Sequence, residues 1–215
     1  MQEIDKEYVR KRINLLLQSL KQKNFDPCFF ESPVEATRFI LDQIKAGETV
    51  GIGGSVTLRE NLGIVAAIRE RGNTVYDHWE ADKDPVRRLE LKRIHRGVDL
   101  FLSSVNAITY DGTMVNLDGG GNRVASLCSG PKRVIVVAGA NKLVDTLDAA
   151  IDRTRNRAAV LRVLRSKFKT PCEATGVCSD CSSPQRICAA LLILMQKPAD
   201  IDHFTVILVN EELGY

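Results

Sequence analysis

Val105-Asn-Ala-Ile-Thr-Tyr-Asp-Gly-Thr-Met-Val-Asn-Leu-Asp-Gly-Gly-Gly-Asn-Arg-Val-Ala125 is the stretch from which the fold is read. Its first half predicts two short strands around Asp111-Gly112, a dipeptide that favours tight hairpin turns. Its second half sets Gly119, Gly120 and Gly121 ahead of Asn122, Arg123 and an apolar run. Glycines there let the backbone approach a ligand without a Cβ in the way. A helix starting at Asn122 would turn its free N–H groups toward the same place and favour an anion. Asp118 and Arg123 flank that place with opposite charges. Spacing alone equally admits a plain glycine-rich connection between a hairpin and a helix.

The flanking sequence repeats one plan. Thr49-Val50-Gly51-Ile52 reads as a short buried strand, Gly53-Gly54-Ser55 as a loop, and Thr57 to Arg71 as a helix. That order puts backbone N–H groups at the carboxyl end of a strand, the ligand edge of an open α/β sheet. The dinucleotide fingerprint G-x-G-x-x-G and the Walker lysine are both missing. Ser55 suits either an anion contact or a helix cap. Lys132 to Ala138 is the most continuous β-branched run, a central parallel strand, and it ends in Gly139-Ala140-Asn141-Lys142. Lys142 there offers charge to an anion, or is a surface lysine before a helix. Asn73 to Tyr76 is another strand, with His78 and Trp79 at its outlet; they read as a packed pair more readily than as an acid–base group.

Further helices are expected over 4–23, from Ser32-Pro33 to Gly47, over Val86 to Arg96, whose basic face reads as solvated, and from Asp145 to Arg165. Strands are expected over Val98 to Val105 and His203 to Val209. Asp26-Pro27 breaks the first helix, so residues 1–30 read as an N-terminal helical arm that packs on the domain or on a second subunit in a homodimer. Residues 31–215 form the main domain. Alternating strands and helices imply the α/β class, with a mostly parallel sheet covered by helices on both faces.

Composition excludes several classes of function. Of 215 residues, 44% are hydrophobic and 27% charged, an ordinary soluble balance. A formal net charge of +3, without a basic stripe interleaved with aromatics, argues against nucleic acid. No apolar run is long enough to span a membrane, and the first residues lack a signal-peptide plan, so the expected location is the cytoplasm.

There are six cysteines. Cys28 and Cys128 stand alone and read as small buried hydrophobes. Cys172, Cys178, Cys181 and Cys188 fall in a Cys-rich loop at 171–188, with spacing Cys-x5-Cys-x2-Cys-x6-Cys, between two segments read as helical. Four thiolates in one short loop suit tetrahedral zinc or an iron–sulfur cluster, with disulfides or free thiols as the alternative, and the spacing matches neither a standard zinc finger nor a bacterial ferredoxin.

Asn106-Ala107-Ile108-Thr109 through Asp111-Gly112-Thr113, then Asn116 and Gly119-Gly120-Gly121-Asn122-Arg123, resembles the central motif of the LUD domain, the lactate-utilisation family that includes LutC-like proteins. Gly51-Ile52-Gly53-Gly54-Ser55-Val56-Thr57-Leu58 is similar to that family's first glycine loop, and Val136-Val137-Ala138-Gly139-Ala140-Asn141-Lys142 to its post-strand segment. The resemblance runs in order through most of the chain. It implies a NagB/RpiA/CoA transferase-like fold, shared with ribose-phosphate isomerase and glucosamine-phosphate deaminase, with ligands at loops after the parallel strands. It also favours an iron–sulfur cluster over zinc, because a branch of LUD-like proteins carries such a Cys-rich insertion and lactate-utilisation partners handle electrons through iron–sulfur centres.

The expectation is therefore a protein that binds a small anionic metabolite on Gly53, Gly54 and Ser55, closed by Gly120, Gly121, Asn122 and Arg123, with Lys142 adding charge. Asp118 is the carboxylate expected to move a proton. The implied role is in oxidation of lactate or a related organic acid, beside other lactate-utilisation subunits. Two alternatives stand: an isomerase-like enzyme acting on a sugar phosphate, or a non-catalytic subunit with a structural metal site.

Overall fold

The structure, a computed structural model, describes residues 3–215. Helix α1 (Glu3–Gln22) leads into β1 (Asp26–Phe30), α2 (Pro33–Gln43) and β2 (Thr49–Ile52). After a π-helical turn at Thr57–Asn61 come α3 (Ile64–Glu70), β3 (Thr74–Asp77), α4 (Pro85–Ile94) and β4 (Leu100–Ser104). The central stretch forms the hairpin β5 (Ala107–Thr109) and β6 (Met114–Asp118), then α5 (Asn122–Cys128). The chain continues through β7 (Arg133–Gly139), β8 (Leu143–Val144), α6 (Leu147–Asp152), a π-helical stretch Arg153–Ala158 and α7 (Ala159–Ser166). It finishes with α8 (Pro171–Thr175), β9 (Ala190–Leu194) and β10 (His203–Val209).

Six strands make one wholly parallel sheet in the order β1-β10-β7-β4-β2-β3. Side chains alternate across it, as a strand's period of two requires. Phe101, Val134, Val136, Ala138, Val206 and Leu208 pack on one face with Ile13, Leu16 and Leu20 of α1 and Leu127 of α5. Leu100, Leu102, Ile135, Val137, Ile207 and Val209 pack on the other with Ala36 and Ile40 of α2 and Ile64 and Ile68 of α3. Strands buried on both faces read as continuous apolar runs, which is why β4, β7 and β10 stand out in the sequence. The expected α/β class with a mostly parallel, helix-covered sheet and an N-terminal helix is observed. Among the described residues no helix is long and apolar enough to cross a membrane.

The hairpin turn forms where Asp111-Gly112 placed it. Gly112 adopts φ +86, a left-handed conformation that favours glycine, and the Asp111 carboxylate accepts from Lys23 Nζ and Thr113 Oγ1. The capping box at Ser32 and Glu35 is likewise formed.

Four local features depart from expectation. Asp26-Pro27, read as a break, belongs to β1, where proline is tolerated because β1 is an edge strand. The expected arm is thus continuous with the core through β1 and the buried face of α1. The segment after the cysteines is not helical. Ala190–Leu194 is strand β9, antiparallel to β6, in a second sheet of order β8-β5-β6-β9. Short apolar runs carry no period that separates helix from strand. Finally, the helix expected over Thr57 to Arg71 is interrupted at Gly63, which has φ +61.

Gly139 ends β7 under the last residues of the chain, and a Cβ there would lie 2.5 Å from both Glu211 O and Leu213 N. Those contacts are backbone and cannot swing away, so Gly139→Ala should destabilise by about 3 kcal/mol. Gly97→Ala, whose Cβ meets nothing within 4 Å, should change stability by less than about 0.5 kcal/mol. Urea unfolding midpoints of the two variants check this.

Candidate functional site

The carboxyl ends of β2, β3, β4 and β7 open into one cleft of about 460 Å³. After β2 the chain turns toward β3 on one side, while β4 lies on the other, so the sheet changes winding direction between β2 and β4. Open α/β sheets bind ligands at such a divide. Gly54 and Ser55 leave β2 there, facing Ser104, Val105 and Asn106 after β4.

Each wall has a local cause. Ser55 Oγ donates to Ser104 Oγ at 3.0 Å and accepts from Leu58 N, pinning the glycine loop to β4. A Cβ on Gly54 would stand 3.1 Å from Trp79 Nε1, tighter than an ordinary contact, and 3.5 Å from His78 Nε2, so glycine lets these rings come close against the loop. Asp77, at the end of β3, is held bidentately by Arg59 and caps Trp79 N. Arg59 and Arg162 lie over the Trp79 ring at 4.2 and 5.4 Å. On the far wall, Asp118 accepts from Gly120 N at 3.1 Å, Arg123 N at 2.7 Å and Val124 N at 3.4 Å, and so fixes the three-glycine turn onto α5.

The cleft is strongly cationic. Arg88, Lys92, Arg123, Lys142, Arg162 and Arg186 line it, and Asp118 is the single carboxylate side chain among the described lining residues. Arg123 is spent internally on Asn106 Oδ1 and Leu117 O, and Arg88 pairs with Asp82. Among the described residues, Lys92, Lys142 and Arg162 enter no ion pair. Lys142 is 1% exposed and donates to Thr57 Oγ1 at 3.0 Å. Burial, then the fields of Arg153 and Arg123, holds its ammonium down to about 7. His78 is pushed down to about 3 by burial and by His95, Lys92 and Arg88, so it is a neutral imidazole at physiological pH.

Seven of the expected residues meet in this cleft: Gly54, Ser55, Asp118, Gly120, Asn122, Arg123 and Lys142. Gly53 does not; it faces β4, where a Cβ would be 2.8 Å from Ser103 Oγ. Gly121 does not line it either, and with φ +77 it supplies the left-handed residue before α5. Sequence reasoning missed Arg88, Lys92, Arg162 and Arg186. The first two lie on a helix whose charges read as solvated, and the others are far away in the chain.

The four clustered cysteines border one small cavity with Val163, Thr170, Asp180, Arg186 and Ile187. They are free thiols, and burial followed by the neighbouring sulfurs raises Cys188. Arg155 donates to Cys178 Sγ at 3.7 Å, and Thr170 Oγ1 lies 3.2 Å from Cys172 Sγ. Arg186 ties the loop together through Cys181 O, Cys188 O and Asp180. Among the described residues no three His, Cys, Asp or Glu side chains form a group that could hold a metal ion as they stand. The loop also builds the cleft: Arg186 and Ile187 line both cavities, and Ile187 packs on Gly119. Cys28 and Cys128 pack against the apolar layers but are partly rather than fully buried.

The profile of the LUD domain matches residues 13–209. A DUF162 family protein from Deinococcus radiodurans superposes with a TM-score of 0.53 at 13% identity, covering 94% of this chain and 98% of that one. At that identity the likeness concerns the fold alone. Ribose 5-phosphate isomerase A from Methanocaldococcus jannaschii gives a TM-score of 0.35 at 15% identity over 63% and 66% of the two chains, too low to carry an argument. No curated protein matches.

The depressed value of Lys142 sets a signed pH dependence. Above pH about 7 the folded chain releases a proton that the unfolded chain keeps to near 10.5. Stability of the ligand-free protein should therefore rise between these limits, by about 1 kcal/mol per pH unit. Affinity for sulfate, whose own charge is constant, should fall over the same rise. In Lys142→Met both trends should vanish, as read by urea unfolding and calorimetry from pH 6 to 9.

Proposed function

The chain belongs to the LUD domain family, and on that premise we propose that it binds a small anionic metabolite in the cleft and takes part in oxidation of lactate or a related organic acid. An iron–sulfur cluster on Cys172, Cys178, Cys181 and Cys188 completes the proposal. The observation that carries it is a cleft with unpaired cations sharing Arg186 and Ile187 with a cavity bordered by four thiols.

Lys142 and Thr57 receive the anion, Ser55 and Gly54 present the backbone beside it, and Gly120 and Asn122 close the opposite side. Buried cations without counter-charges are costly, and an anionic ligand relieves that cost. Asp118 is the carboxylate that this reading assigns to accept a proton, and His78, a neutral imidazole, lines the cleft at the outlet of β3. The second reading, an isomerase-like reaction on a sugar phosphate, needs two acid–base groups, and beside Asp118 the neutral His78 is no proton donor at physiological pH.

The donor set fits a cluster by its chemistry. Four thiols bordering one cavity are the donor type that an iron–sulfur cluster takes, and Cys172, Cys178, Cys181 and Cys188 would hold it once the loop draws them together. Arg155 and Arg186 beside the loop offset thiolate charge. When bound, the cluster supplies one-electron transfer, passed on in this reading to other lactate-utilisation subunits.

Anaerobic reconstitution with iron and sulfide should give a broad visible absorbance, with iron and sulfide in comparable amounts. The Cys178→Ser, Cys181→Ser double variant should lose both while circular dichroism still reports a folded domain. Colourless protein with one zinc per chain would instead support a structural site.

A further inference from the structure

Lys92 and Lys142 both reach the cleft without a carboxylate partner, but from different elements and in different surroundings. Lys142 follows β7 and sits on Thr57, and the charges acting on it are Arg153 and Arg123. Lys92 extends from α4, which packs against β3, and its ammonium lies 3.2 Å from where a Gly120 Cβ would stand. The charges acting on Lys92 are Arg88, Asp118 and Asp82. Neither lysine figures in the other's environment.

The sheet order explains the separation. β7 and β3 have β4 and β2 between them. Strands lie about 4.8 Å apart, so the lysines approach from walls whose strands, three spacings apart, are separated by about 14 Å. His78 and Trp79, which carry no charge at neutral pH, line the same cleft at the outlet of β3, with Arg59 and Arg162 over the Trp79 ring. A single compact anion reaches one of these ammonium groups and leaves the other without an ion pair, Lys142 on one hydroxyl or Lys92 in the fields of Asp118 and Asp82 alone, at a cost.

We propose that the metabolite bound here carries an anionic group at each end: one on Lys142 and Thr57, the other on Lys92 with Arg88 at the three-glycine turn. Its uncharged middle rests against His78 and Trp79. This inference rests on the anion-binding reading above and narrows it to a class, small linear dianions with separated phosphate or carboxylate ends. A cleft of about 460 Å³ holds such a molecule with room for bridging water.

Calorimetric titration with hexyl phosphate and the bisphosphate of hexanediol tests this, alongside octanoate and octanedioate as the carboxylate pair. In at least one pair the two-ended probe should bind about tenfold or more tightly than the one-ended probe, because the second contact is made within the same complex. The pair that shows the advantage names the end groups. Lys92→Ala, at a half-exposed position, should abolish that advantage while leaving the one-ended probe within about twofold. Lys142→Met should weaken both probes. One-ended binding with no two-ended advantage in either pair overturns the dianion inference and leaves the anion site standing. Equal weakening of both probes by Lys92→Ala overturns it too, since that outcome describes one undivided site. If inorganic phosphate, lactate and all four probes fail to bind, the anion-binding reading falls and this inference with it.

Discussion

Strand β7 has no wet face, and much of the molecule is arranged to keep it dry. Val134, Val136 and Ala138 point to the layer made by α1 and α5, and Ile135 and Val137 to the layer made by α2 and α3. Its backbone is paired on both sides, by β4 and β10. Such a strand can meet water only at its ends. The chain must therefore change character where β7 stops, and it does so at Gly139 and Lys142, within reach of the loops that leave β2 and β4. The cleft is the geometric remainder of a parallel sheet whose interior strands are fully covered.

How much of this was legible in the sequence follows from the range of the forces involved. Burial on both faces writes itself into contiguous apolar runs, so β4, β7 and β10 could be read directly, and the residues just beyond them became site candidates by position. Lys142, Ser55 and Gly54 were found that way. Gly53 and Gly121 sit in the same loops but serve packing and backbone conformation, a distinction of orientation that no spacing encodes. Lys92 reads as solvated because a helix with mostly charged positions gives no sign of which one turns inward. Arg162 meets Trp79 only through α7, and Arg186 reaches the cleft only through the cysteine loop. Strand β9 was ambiguous for another reason. Five apolar residues fit a strand or a helical turn equally well, and the partner that decides is β6, more than seventy residues upstream.

The charges of the cleft show what a fold does with groups it cannot neutralise. Arg59 is bound by Asp77, Arg88 by Asp82 and Arg186 by Asp180, and these pairs act as struts. Lys142 is treated differently: it is fully enclosed, touches one hydroxyl, and keeps its charge only at the expense of solvation. Interiors normally discard such groups or supply an acid. Keeping this one at the outlet of the central strand stores affinity for something that arrives from outside.

The position of Arg186 and Ile187 has a thermodynamic corollary. Strand pairing carries the wall onward, since Ala189 N donates to Asp118 O and Ala190 pairs with Asp118. Two cavities divided by one pair of residues cannot be indifferent to each other if either occupant moves that partition. Whatever factor an occupant of the thiol cavity applies to affinity in the cleft, an occupant of the cleft must apply in return. The partition would then act as a reciprocal coupling element, through which each compartment registers whether the other is full.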